Sequence, residues 1–227
     1  MDISRRFETM RMRIFQERRP RAGLAVAVLL ACGWGAGGAG AADLYGPPPA
    51  GAWAEATGLG DPGTHWEARL GVFAHGVGSA EKNTVDINGE LATPRLPLGV
   101  TGFWSFLVPR VHAGGSVNLS GRTNVAYAGF LWTIPLSDRF FVEGFVGPAV
   151  HDGSLAPTAT QAGLGCRTLF HAGASVGYRF TEHWSVQATF EHLSNGRELF
   201  GINCGTNQIP GGNQGLNNYG LRIGYAF

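Results

Sequence analysis

Residues 184–195 read Trp-Ser-Val-Gln-Ala-Thr-Phe-Glu-His-Leu-Ser-Asn, and their pattern is the clearest indication of the fold. Apolar and polar residues alternate along it, and one set of positions is apolar: Trp184, Val186, Ala188 and Phe190. A period of two is typical of a β-strand with two different faces. His192 and Ser194 continue the apolar set, where polar groups are costly unless something compensates them. The stretch therefore indicates a strand in the wall of a membrane barrel, with a base and a hydroxyl on its outer face.

The same alternation recurs along the chain and predicts eight strands. The segments lie near residues 65–76, 83–93, 109–120, 124–134, 139–150, 167–180, 183–195 and 215–227. A tilted membrane strand requires about 9–11 residues, which these segments supply. Apolar side chains outside and polar or small ones inside are typical of such a barrel, and the 36 glycines suit a narrow lumen. The predicted fold is all-β, an eight-stranded antiparallel transmembrane β-barrel.

The chain divides into three predicted parts. Residues 1–42 are typical of a signal peptide, with a basic start, an apolar run and a small-residue end. Residues 43–64, rich in Pro, Gly and Ala, form an irregular lead-in, and residues 65–227 form the barrel. Cys32 follows Leu-Leu-Ala, which leaves lipoprotein processing with a lipid on this cysteine as an alternative.

Charge excludes one class of function. Of 17 basic and 16 acidic residues, 7 and 3 lie in residues 1–42, so the mature chain has a net charge near −3. It has no basic patch of the kind that nucleic acid needs, and no nucleic-acid partner is expected. No mature stretch offers the about 18 consecutive apolar residues of a transmembrane helix.

The connections indicate the orientation of the barrel. Short turns belong on the periplasmic side and long loops outside the cell, which places the long loops 151–166 and 196–214 outside. Cys166 and Cys204 lie in these two loops. In an exported protein such a pair suggests a disulfide, although sequence does not give their separation. The connection 94–108 is long and aromatic yet periplasmic, so it is either an interfacial segment or part of the third strand.

His192 and Ser194 are candidates for catalysis. Their side chains share one face, with Cα atoms roughly 7 Å apart in a strand. A serine hydroxyl is a weak nucleophile until a neighbouring base takes its proton. Asn195, on the opposite face at the strand end, has an amide that can donate to an oxyanion if the backbone turns there. The alternative is a rim strand whose polar residues only meet lipid headgroups.

Three segments carry a family resemblance. They are Phe-Glu-His-Leu-Ser-Asn-Gly at 190–196, Asn-Gln-Gly-Leu-Asn-Asn-Tyr-Gly at 213–220 and the terminal Gly-Tyr-Ala-Phe at 224–227. Together they resemble the lipid A 3-O-deacylase (PagL) or acyloxyacyl hydrolase family, most strongly over 167–227. The resemblance implies a bacterial outer-membrane barrel that cuts an ester-linked acyl chain from lipid A, at the 3-position. It implies lipid A or lipopolysaccharide as the substrate and no cofactor, and a homodimer is compatible with it.

The resemblance also implies roles for particular residues. Ser194 would be the nucleophile, His192 the general base and Asn195 an oxyanion-hole donor. Where the best-known members carry a glutamate that orients the histidine, this chain places Asn217, in the outward phase of the last strand. An amide oxygen can fix the histidine tautomer but supplies no charge. Glu198 or Glu191 are the alternative orienting groups, although Glu191 should point into the barrel.

Two other functions remain as alternatives. One is a non-catalytic barrel of structural or adhesive type, and the other is a phospholipase that acts on other membrane lipids.

A polar network is also predicted in the lumen. It joins polar residues of the second strand to arginines of other strands, and its members are Asp86, Asn88, Glu90, Arg69, Arg179 and Arg222.

Overall fold

The segments with a period of two in the sequence form β-strands in the computed structural model. The model describes residues 61–100, 102–196 and 214–227. The strands are β1 (Glu67–His75), β2 (Thr84–Arg95), β3 (Arg110–Asn118), β4 (Val125–Pro135), β5 (Phe140–His151), β6 (Thr168–Arg179), β7 (Trp184–Ser194) and β8 (Leu216–Ala226). Every strand begins and ends within two residues of its predicted segment. The predicted signal peptide and most of the lead-in lie outside the described residues.

The strands close into an eight-stranded barrel in sequence order. Each strand is antiparallel to the next, and β8 returns to β1 with Leu70 opposite Ile223. The predicted fold class is therefore confirmed. None of the helices in the described part of the chain is long and apolar enough to cross a membrane.

The two faces of the wall differ as alternation requires. Large apolar side chains are exposed on the outer face, among them Leu70, Val72, Phe130, Val176, Val186, Phe190, Leu221 and Ile223. The residues between them are buried in the lumen, as in the alternating pattern of β7. Apolar side chains on the outer face are favourable in contact with the hydrocarbon chains of a membrane.

Charged side chains fill the lumen and neutralise one another. Glu90 lies 2.9 Å from Arg69 and 3.6 Å from Arg222, and Arg222 Nε donates to Asn88 Oδ1 at 3.0 Å. Buried charges require such pairing and hydrogen bonding. The predicted network is confirmed for these residues. Asp86 instead accepts from His75 and Asn118, and Arg179, near the end of β6, donates to the carbonyl oxygen of Asp138.

The connection between β2 and β3 is not part of the third strand. It contains a 3₁₀-helix (Gly102–Leu107), and Trp104 on this helix is exposed. Trp132 Nε1 donates to the carbonyl oxygen of Leu107 at 3.1 Å, which ties the segment to β4. Of the two predicted alternatives, the interfacial aromatic segment agrees with this geometry.

The barrel has two distinct ends. We call the end with the loops 76–83, 119–124 and 152–167 the mouth, and the end with the turns 136–139 and 180–183 the base. Residues 162–166 of the loop 152–167 fold into the mouth and are buried. Ala162 and Leu164 join an apolar cluster there with Leu193 and Leu216. This cluster packs beneath the mouth ends of β7 and β8, which carry the site described next.

Candidate active site

The mouth end of β7 presents His192 and Ser194 on the outer face. Both are half-buried and alternate with the buried Glu191 and Leu193, so they share the lipid-facing side of Val186 and Phe190. Their position at the strand end follows from the same alternation that builds the wall. In the register, His192 is opposite Ala172 of β6 and Ser194 is opposite Phe170.

His192 is hydrogen-bonded to Asn217 of β8. The two residues are directly opposite in the register, and His192 Nδ1 lies 2.7 Å from Asn217 Oδ1. Because an amide oxygen can only accept, the proton of this bond belongs to the imidazole Nδ1. The neutral ring then carries its lone pair on Nε2, which is the form that a general base needs. The predicted approach of Asn217 to His192 is therefore present in the structure.

Gly215 shapes the space beside the imidazole. A Cβ atom at this position would lie 2.8 Å from His192 Cε1 and 2.8 Å from the carbonyl oxygen of Leu193. Only a residue without a side chain allows the start of β8 to approach the ring so closely. Sequence reasoning noticed this glycine as part of a motif but missed its contact with the histidine. The position of Gly215, two residues before the outward-facing Asn217, was the signal that could have indicated this contact.

Ser194 is placed beside the histidine but is not bonded to it. No hydrogen bond joins its hydroxyl to His192 among the residues that the structure describes, and Phe170 faces it across the β6–β7 pairing. Hydrogen bonds between catalytic groups are often long before substrate binds and tighten in the complex. The arrangement provides a base and a hydroxyl on one face, next to an aromatic side chain.

Asn195 lies on the inner side of the wall. It is 6% exposed, and its Nδ2 donates to the carbonyl oxygen of Leu164 at 3.3 Å. The backbone turns immediately after it, where Gly196 has a φ of 67° that favours glycine. The turn that the sequence analysis required for an oxyanion donor is therefore present.

The glutamates proposed as alternative orienting groups differ in location. Glu191 is buried in the lumen, 3.2 Å from His171 and 3.4 Å from Arg222, with the barrel wall between it and the imidazole of His192. Glu198 lies outside the described residues. Cys166 is disulfide-bonded, and the predicted partner Cys204 also lies outside them. Within the described ranges, no three or more His, Cys, Asp or Glu side chains are arranged to hold a metal ion.

Fold and site together define a membrane β-barrel with a tautomer-fixed histidine and a serine on its lipid-facing wall. The family model for Lipid A 3-O-deacylase (PagL) matches residues 98–226, more than half of the 227 residues. The chain belongs to this family, and the predicted resemblance is confirmed. It is accordingly a lipid A deacylase located in the bacterial outer membrane.

Solved structures with a similar fold include natural and designed barrels. A crystal structure of the outer membrane enzyme PagL is 16% identical, with a TM-score of 0.49, over 70% of this chain and 97% of that one. The N-terminal β-barrel domain of Pseudomonas aeruginosa OprF is 12% identical, with a TM-score of 0.43, over 71% of this chain and 97% of that one. A de novo designed transmembrane β-barrel is 15% identical, with a TM-score of 0.45, over 74% and 98%. The comparison with curated protein sequences gives no significant match.

Proposed function

We propose that this protein hydrolyses the acyl ester at the 3-position of lipid A with Ser194 as the nucleophile and His192 as the general base. The observation that carries the mechanism is the bond between His192 Nδ1 and Asn217 Oδ1, at 2.7 Å on the outer wall. In the neutral ring this bond fixes the tautomer whose Nε2 can accept a proton from a neighbouring hydroxyl. The 3-position comes from the family description.

In the first half of the proposed reaction, His192 Nε2 takes the proton of Ser194 as its Oγ attacks the ester carbonyl carbon. The carbonyl π electrons move onto oxygen and form a tetrahedral intermediate. The imidazolium then gives its proton to the sugar oxygen as the ester bond breaks. The sugar leaves with a free hydroxyl, and the acyl chain stays on Ser194. Asn217 holds the ring throughout but adds no negative charge.

In the second half, water replaces the sugar. His192 takes a proton from the water as its oxygen attacks the acyl-serine, and the collapse of the intermediate returns that proton to Ser194 Oγ. The released product is a fatty acid. We assign the side-chain amide of Asn195 as the donor to the developing oxyanion, because it directly follows Ser194 at the turn to Gly196. A donor of this type typically contributes about 10²–10³ in rate.

The location suits a substrate that never leaves the membrane. His192 and Ser194 lie at the mouth end of the lipid-facing wall, where long loops of outer-membrane barrels face the cell exterior. Lipid A occupies the outer leaflet, so its acyl ester can approach Ser194 sideways. We expect no cofactor for this reaction. All the residues to which we assign a role belong to one copy of the protein.

Purified protein in detergent tests the proposal directly. Incubation with lipid A, followed by mass spectrometry, should show loss of one acyl chain, and fragmentation should place the loss at the 3-position. The Ser194→Ala variant is the matched control and should leave lipid A intact. Hydrolysis of phospholipids in place of lipid A would indicate the phospholipase alternative. An unchanged substrate with the folded wild type would favour a non-catalytic barrel.

A further inference from the structure

Three consecutive residues of the loop 152–167 touch both strands of the candidate site. Leu164 accepts the amide hydrogen of Asn195, which directly follows Ser194. Gly163 pairs with Gln214, which directly precedes Gly215: Gly163 N donates to Gln214 Oε1 at 3.0 Å, and Gln214 N donates to Gly163 O at 2.9 Å. We call residues 162–164 the strap. The strap bridges Asn195, just beyond the end of β7, and Gln214, just before the start of β8.

The strap is anchored on one buried carboxylate. Ala162 N donates to Glu81 Oε1 at 3.0 Å, which links the strap to the loop 76–83. Glu81 also accepts from Thr123, through its N–H at 2.9 Å and its hydroxyl at 2.9 Å. His75 Nε2 lies 3.0 Å from the same carboxylate. Four donors from three other segments therefore converge on Glu81, a residue that is 0% exposed.

These four donors require a negatively charged carboxylate at Glu81. Burial alone would raise the pKa of Glu81, but the hydrogen bonds from His75, Thr123 and Ala162 hold it below its ordinary value. The side chain is therefore ionised at neutral pH. A glutamine in its place has one oxygen, and its NH₂ group would meet donors instead of acceptors. Replacing the acid by its amide should release part of this cluster, because two donors cannot bond to each other.

We infer that Glu81 is a positioning residue for deacylation, acting through residues 162–164 on Asn195 and on the Gln214–Gly215 approach to His192. This inference rests on the function proposed above. Glu81 touches neither the serine nor the histidine, and it lies inside the barrel mouth while they lie outside. Misplacement of reacting groups by about 1 Å can cost about 100-fold in rate, so a remote anchor of this kind can govern turnover.

The chain offers a matched control in Glu143. This glutamate is also buried in the lumen, where it accepts from Arg69 at 2.7 Å and from Thr133 at 2.8 Å, but its contacts involve neither the strap nor its partners. Glu143→Gln makes the same chemical change at a similar burial. It should lower stability and leave the geometry at His192 intact. Gln214→Ala provides a second variant, because it removes one strap contact without altering a buried charge.

The experiment compares kcat and KM of the three full-length variants on lipid A in detergent, after their folding is verified. We expect Glu81→Gln and Gln214→Ala each to lower kcat by about 10- to 100-fold, with KM changed less than about twofold. Glu143→Gln should keep kcat near wild type. The double variant of Glu81→Gln and Gln214→Ala should lose less than the product of the single losses, because both act along one chain of contacts.

Hydrogen exchange at the Ala162 amide gives a readout independent of activity. Exchange should accelerate in Glu81→Gln and stay slow in Glu143→Gln, since only the former takes an acceptor oxygen from the cluster that holds this amide. Wild-type kcat in a folded Glu81→Gln or Gln214→Ala protein would overturn the inference, and so would an equal loss in Glu143→Gln. Deacylation that persists in Ser194→Ala would instead overturn the proposed mechanism, and the positioning role with it.

Discussion

Glu191 and His192 are neighbours in β7 that bond to neighbouring asparagines of β8 on opposite sides of one wall. His192 Nδ1 meets Asn217 Oδ1 outside at 2.7 Å, and Glu191 Oε1 accepts from Asn218 Nδ2 inside at 3.1 Å. Asn217 is held further through its carbonyl oxygen, which accepts from Val77 N at 2.8 Å. Side-chain bonds on both sides of the wall therefore hold the β7–β8 register that places Asn217 opposite His192.

Removal of the proposed nucleophile or base should abolish deacylation. Ser194→Ala and His192→Ala each take away a group that the other cannot replace, and loss of a triad member typically costs several orders of magnitude in rate. Mass spectrometry of lipid A from cells that express each variant measures the effect. Heat-modifiable migration on gels verifies that the barrel still folds. Lipid A that is still shortened by folded Ser194→Ala would show that another group is the nucleophile.

Asn217 should matter more than Glu198. Asn217→Ala removes the acceptor that fixes the His192 tautomer, so we expect the initial rate to fall by roughly 100-fold, while Glu198→Ala changes it little. Asn217→Glu should keep or raise activity, because a carboxylate beside the imidazolium adds charge stabilisation of at most a few kcal/mol. Initial rates on purified lipid A test all three. Full activity in Asn217→Ala with inactivity in Glu198→Ala would move the orienting role to the glutamate.

Gly215→Ala should disturb the imidazole without disturbing the barrel. The added methyl would meet His192 Cε1 and the Leu193 carbonyl oxygen at 2.8 Å each, and the backbone oxygen cannot move aside cheaply. We expect kcat to fall by about tenfold or more. Gly144→Ala is the matched control, since its Cβ meets nothing within 4 Å on β5. Equal kinetics of the two variants would show that the close approach of Gly215 is not needed.

Phe227 should affect assembly and not chemistry. It is 58% exposed at the base, and its N–H donates to the carbonyl oxygen of Trp66 at 2.9 Å, where β8 closes on β1. A terminal aromatic residue on the closing strand is a candidate assembly signal. Deletion of Phe227 should lower the amount of protein in the outer membrane, while the inserted fraction keeps its specific activity. Normal amounts of the truncated protein in outer-membrane fractions would contradict this expectation.

The wall was predictable because lipid imposes a strict rule on every strand residue. Outward positions are mainly apolar and inward positions mainly polar or small, with exceptions such as Phe73, so the pattern in residues such as Val186 and Gln187 predicts both strand and face. The pairing of His192 with Asn217 followed from the same rule, since both share the outward phase. Strand ends were predictable to within two residues for the same reason.

The strap was not predictable from local pattern. Glu81 and Ala162 are 81 residues apart in sequence, and their contact depends on how the loops fold into the mouth. Loops follow no alternation, because their side chains face neither lipid nor a regular lumen. The partners of Arg179 were not predictable for a related reason: alternation gives the face of a residue but not its depth along the barrel. Arg179 lies near the base of the barrel, and it therefore bonds to Asp138 there and not to Glu90.

This barrel differs from a porin because side chains fill its lumen. An eight-stranded barrel has an interior just wide enough for side chains, and here ion pairs such as Arg69 with Glu143 occupy it. Solutes therefore find no path through the described part of the barrel. More copies of this protein in the outer membrane should therefore add no route for solutes through the lumen.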